Sequence, residues 1–384
     1  MKKLFLSLIV TVLLGLLFWT HPAGLNAQTP PTHDAVALRY HETMSKVKTE
    51  WADTTLSQRI RLKGENGIPK AYLYRVESEG RQQGYMVTMN IKGTIQISEA
   101  TFSGEDPLKD NHKNEYYIAP MQFMTREVYH DKVEDSHSEE AEPFLSTEKT
   151  EHQGLEPQFF WGSEPHDPEN LVPVPDSYFS SYYVSYYSEI KVEETPEYFN
   201  YSFGPVNNGC MPTSGAMLTS FFDRVALPGL IEGSLSLSHY DEYDNPVEEV
   251  DDHIISMADY MNTCDDIEGD LTNPINCNGT SFTSAGTGLN AYFSDNGYSL
   301  YDAHDSEDLA VYSVLIQEAN PVLLWLYEEE ENGEDFSHAV LGIGESHPYG
   351  SEPQFIVRYN WTSRGGEYHV SQDLFHSFIY MSQG

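Results

Sequence analysis

A chain of 384 residues with 60 Asp and Glu against 21 Lys and Arg carries a formal net charge of −39. Such a surface repels nucleic acid and anionic membranes, and neither is expected as a partner. The length allows two domains and a sizeable core, and three cysteines without a Cys-x-x-Cys spacing give no zinc cluster.

In chain order, "MKK" is a basic start, "LFLSLIVTVLLGLLFW" an apolar run, and "AGLNA" ends in a small residue. Residues 1–27 therefore read as a signal peptide cut after Ala27, with Leu25 standing where a small residue is usual. No later stretch is apolar for long enough to span a bilayer. The mature chain is expected to be secreted, free outside the cell or held at its envelope, with no membrane insertion after cleavage.

Residues 28–134 read as a small α+β domain. "DAVALRYHETMSKVKTEWADTTLSQRI" has helical apolar spacing, and "KAYLYRVES", "GYMVTMNI" and "TIQISEATF" are strand-like runs between turns. Residues 135–190 begin with a stretch rich in Glu, Ser and Pro and are assigned to an acidic linker. Residues 191–384 form the second domain. In 201–384 there are 30 acidic residues, three arginines (Arg224, Arg358, Arg364) and no lysine. "SYFSSYYVSYYSEI" reads as a half-buried strand, followed by a helix over 212–224 and another near 249–263. "NPVLLWLYEEE", "FSHAVLGIGE" and "QFIVRYNW" have strand length and turn signals between them, so the end of the chain reads as an antiparallel sheet. Helix first and sheet afterwards is an α+β order.

The chemistry concentrates at "NNGCMPTSGAMLTSFFDR", residues 207–224. Pro212 suits the first turn of a helix. Met217, Leu218, Phe221, Phe222 and Val225 make its apolar face, and Thr219, Ser220, Asp223 and Arg224 are expected on the polar one. Cys210 then sits at the helix N-terminus, where exposed N–H groups and the macrodipole favour a thiolate. Gly209 leaves room beside the sulfur, and the Cys210 N–H is a candidate oxyanion donor. A nucleophilic cysteine needs a base, and the base an orienting group. His338, opening the apolar strand "HAVLGIGE", is the candidate base; Asn360 in "VRYNWTS", with Trp361 beside it, is the candidate orienter.

The order Cys210, His338, Asn360 is that of papain-like cysteine peptidases. "NNGCMPTSGAML", "HAVLGIG" and "YNW" together resemble the branch of bacteriocin leader-processing (family 39-like) peptidases over about 190–384. The resemblance implies a papain-like fold, in which the helix carrying the cysteine packs on an antiparallel sheet. It also implies amide hydrolysis of a peptide or protein substrate by a Cys-His-Asn triad. Papain-like enzymes usually carry a glutamine about six residues before the cysteine as second oxyanion donor, and here that position is Gly204. Asn207, Asn208 or Ser202 are the substitutes at hand. The strand-rich N-terminal domain vaguely resembles the propeptides of streptopain-like enzymes, which implies that it docks on the peptidase domain and is released by cleavage.

Two other readings use the same residues: a peptidoglycan-cleaving enzyme of NlpC or CHAP type, and an inactive binding module on the same fold. Cys264 and Cys277, 13 apart in a polar loop, are expected to pair as a disulfide, leaving Cys210 as the odd thiol. "DEYDNPVEEVDD", residues 241–252, lacks the glycine of a calcium loop and reads as a solvated acidic face. No metal or other cofactor is expected.

Overall fold

A computed structural model describes residues 31–384 apart from 65–68, 105–107, 109–115, 118–122, 125–170, 185–186, 200–208, 234, 242–244, 264–278, 330–334, 349–350, 359–365 and 384. The signal peptide, the linker from 135 to 170 and the Cys264–Cys277 pair lie outside the described residues. From His33 onward the chain is one compact unit. It is an α+β structure whose large sheet is mostly antiparallel.

The N-terminal part opens with helix α1 (His33–Met44) and continues with β1 (Thr55–Lys63), β2 (Pro69–Ser78), β3 (Arg81–Ile91) and β4 (Thr94–Thr101). The β2–β3 and β3–β4 connections are two-residue loops, Glu79–Gly80 and Lys92–Gly93, with positive φ at both positions. Such loops match the twist of the flanking strands and fix their register. The expected helix is shorter than its apolar spacing suggests. Val47, Trp51 and Leu56 keep a helical rhythm, but they reach the α1 cluster from turns and from β1. Short strands β5 (Tyr116–Tyr117) and β6 (Phe123–Met124) complete this edge.

The C-terminal part contributes β7 (Phe179–Val184), β8 (Tyr187–Val192), helices α2 (Cys210–Val225), α3 (Glu248–Tyr260) and α4 (Phe282–Asp295), β9 (Tyr301–Ser306) and α5 (Leu309–Gln317). Then come β10 (Val322–Glu329), β11 (Asp335–Pro348), β12 (Gln354–Arg358), β13 (Glu367–Ser371) and β14 (Phe375–Gln383). The sheet order is β6-β5-β1-β2-β3-β4-β13-β12-β11-β10-β14-β9, with β8 on the far end of β11 and β7 on β8. Residues 171–192, within or just past the span given to the linker, belong to this body: Val172 is buried and β8 pairs with β11.

Two domains were expected, yet the sheet does not break between them. β4 pairs with β13, setting Thr101 opposite Tyr368, Ala100 opposite His369 and Glu99 opposite Val370. One hydrophobic core runs from Leu73, Tyr85 and Val87 in the N-terminal strands to Met217, Val340 and Ile356. A smaller cluster on the other face packs α1 on β2–β4 through Tyr40, Met44, Val76 and Met86.

Helix α2 lies at the centre. Every residue from Met211 to Phe222 is buried, because β10 and β11 cover one side and α3 and α4 others. The polar face expected at Thr219 and Ser220 is therefore absent. The Thr219 hydroxyl donates to the Gly215 carbonyl at 2.9 Å, and the Ser220 hydroxyl pairs with that of Tyr198 at 2.7 Å. Small polar side chains that find partners are buried at little cost. Among the described residues no helix is long and apolar enough to cross a membrane.

Candidate active site

Cys210 is the first residue of α2, half-buried against the core. The first helical hydrogen bond runs from the Thr213 N–H to the Gly209 carbonyl at 3.0 Å. Met211 follows Cys210, and Pro212 brings no N–H of its own. The first turn contains no acidic residue. The positive end of the helix dipole thus has one ionisable group of its own turn to act on, the Cys210 thiol, and it favours the thiolate.

His338 is the fourth residue of β11, opposite Leu326 of β10, and only 2% exposed. It lies inside the strand and not at its open end. The link between helix and strand is one turn beyond Cys210. There the buried Ser214 hydroxyl donates to the Ala339 carbonyl at 3.2 Å. Cys210 is four residues before this contact on the helix, and His338 one residue before it on the strand. Asn360, Trp361, Asn207, Asn208, Ser202 and Gly204 lie outside the described residues. The strand leading to Asn360 is in place: Arg358 ends β12 opposite Leu341, three residues past His338.

Sequence reading passed over what steadies the chain on its way to Cys210. The Arg358 Nε donates to the Thr195 hydroxyl at 2.8 Å, and its Nη1 pairs with Glu197. The Phe199 N–H donates to His239 Nδ1 at 2.8 Å, which leaves the ring proton on Nε2, 2.7 Å from an Asp251 oxygen. Tyr198 donates to the Ser236 carbonyl at 2.7 Å while meeting Ser220 of α2. Residues 195–199 are thereby tied to β12, α2 and α3 together. The only sequence signal was the rarity of arginine in this acidic half.

Among the described residues, one group with metal-ligand chemistry stands elsewhere. Ligand atoms of Glu189, Glu367 and His369 lie within 4.8 Å of one another. Lys48 Nζ stands 2.7 Å from Glu189 and 3.3 Å from Glu367, and Lys191 Nζ 2.9 Å from Glu367. Two ammonium groups already balance the two carboxylates, so this is an ion-pair cluster. Compared with known proteins, the chain matches no family model and no curated protein.

Proposed function

We propose that the protein is a secreted cysteine peptidase with a papain-like fold. Cys210 is its nucleophile, His338 its general base and acid, and Asn360 the residue that orients the imidazole. The observation that carries this reading is the Ser214–Ala339 hydrogen bond. It ties the first turns of the helix that begins at Cys210 to the strand that holds His338.

In the proposed cycle the Cys210 thiolate attacks a substrate carbonyl carbon, and the Cys210 N–H donates to the developing oxyanion. The His338 imidazolium gives its proton to the leaving amine as the C–N bond breaks, and a thioester remains. Water, deprotonated by His338, then adds to the thioester; the acid leaves, and the proton returns the pair to its starting state.

Hydrolysis of casein by the secreted protein tests the reading. Cys210→Ala and His338→Ala are each expected to lower the rate by roughly 10⁴-fold or more. Release of amino groups from purified peptidoglycan with casein untouched would favour the NlpC or CHAP alternative. Inertness of the wild type toward both would leave a binding module.

A further inference from the structure

The cluster around Lys48 joins three parts of the chain that are far apart in sequence. Lys48 follows α1; Glu189 and Lys191 lie on β8; Glu367 and His369 lie on β13. All are mostly shielded from solvent, and His369 is 0% exposed. Glu193 stands 3.7 Å from Lys191 at the rim. The Ser346 hydroxyl lies 2.9 Å from His369 Nδ1, and Nε2 faces Glu367 at 3.4 Å, the arrangement of a neutral ring donating to the carboxylate.

The same boundary is closed elsewhere by buried, directional bonds. Tyr40 of α1 donates to Gln354 Oε1 of β12 at 2.9 Å. Gln96 of β4 donates to Asp373 at 2.7 Å and accepts from Ser371 at 3.1 Å. Phe102 stacks edge-on against His369. With the β4–β13 ladder and the shared core, these contacts have the character of a protein interior.

We propose that β13, whose free side β4 takes, and the cluster that Glu189 and Lys191 of β8 form with Glu367 and His369 are a permanent docking surface for the chain's own N-terminal lobe. Lys48 is its keystone: cleavage between residues 125 and 170 yields a two-chain protein, and no free lobe. Departure of the lobe would strip β13 of its ladder partner. It would also take the Lys48 ammonium from Glu189 and Glu367, leaving Lys191 as their partner, and expose the apolar core that the lobe shares with the rest of the chain. The inference is independent of the peptidase reading, since it concerns assembly and not chemistry.

A site for a specific protease inserted after Ser146 allows the folded full-length protein to be cut and passed over a sizing column with light scattering at neutral pH. The two pieces are expected to co-elute at the mass of the whole chain at micromolar concentration. Lys48→Met, cut in the same way, is expected to separate at concentrations at least tenfold higher than the wild type. Lys46→Met, on the exposed side of the same helix end, is expected to behave as wild type. A melting curve before cutting shows whether each variant is folded. Separation of the wild-type pieces would overturn the proposal; a folded Lys48→Met that separates no more readily would overturn the role of Lys48.

Discussion

Ser214 registers the cysteine helix against the histidine strand through one hydroxyl. Its removal in Ser214→Ala is expected to cost about 1 kcal/mol of stability, the net worth of an intramolecular hydrogen bond. The rate of amide hydrolysis should fall about fivefold with little change in KM, if the contact sets the spacing of the proposed nucleophile and base and does not bind substrate. Steady-state kinetics beside a denaturant titration measure both. Cys210 and His338 were picked out by their order and setting, a cysteine at a helix start and a histidine opening an apolar run, although each residue type alone is a weak signal. Ser214, His239 and Asp251 were not legible. A polar side chain is functional or merely satisfied according to a partner that sequence spacing does not give, such as Ala339 125 residues away.

At the scale of elements, strand-length runs bounded by turn signals were readable, and shorter or interrupted ones were not. β2, β3, β4, β10 and β11 were evident. Helix α4, "FTSAGTGLNAYFSD", was missed because its glycines, serines and threonines are weak helix formers. Its capping serine was the available signal: Ser281 accepts from the Ser284 N–H at 3.1 Å. Strand β14 was missed because its apolar stretch, Phe378–Met381, is only four residues long and is flanked by Ser377 and Ser382. Two substitutions test how elements meet. In Gly84→Ala the new methyl would run into the Thr101 carbonyl oxygen, on the strand that pairs with β13. Loss of 2–3 kcal/mol, roughly the cost of overpacking, is expected in equilibrium unfolding. Arg358→Lys keeps the charge but not the two-pronged grip on Thr195 and Glu197. About tenfold lower hydrolysis at an unchanged melting temperature is expected; unchanged hydrolysis would remove the strap from the account.

Over the whole molecule the buried ionisable groups set the acid limit. Burial drives His253 down from 6.5 to about 4, and His369 is lowered too, burial outweighing the pull of Glu367. Burial alone would raise Glu189, but Lys48 and His369 bring it below the ordinary carboxylate value. The His369 hydrogen bond and the Lys48 and Lys191 ammoniums take Glu367 well below it against the same penalty. In each case the unfolded chain binds its proton first, so stability is full above the unfolded pKa and is lost as pH falls. The melting temperature should therefore drop from about pH 6.5 downward as the histidines are charged in the unfolded state, and more steeply below about 4.5. His253→Gln should flatten the first part of that slope, a contribution of about 3 kcal/mol at full extent. Lys191 acts at the other end. Burial would lower its pKa, but Glu367 with Glu193 and Glu189 raises it, so its contribution is lost only as pH rises through that raised value. None of this was readable from composition, because the acidic surplus says nothing about which carboxylates are enclosed. The continuity of the sheet was equally hidden, since a neutral segment before an acidic one looks like a separate domain until β4 is seen beside β13.

The central claim is that Cys210 and His338 work as a pair, and the pH dependence of Cys210 alkylation by iodoacetamide addresses it most directly. The account expects fast modification at pH 5–6 in the wild type, lost in His338→Ala, as a thiolate beside an imidazolium requires. A wild-type thiol that reacts only as pH approaches about 8.5, like free cysteine, with His338→Ala unchanged, would contradict it.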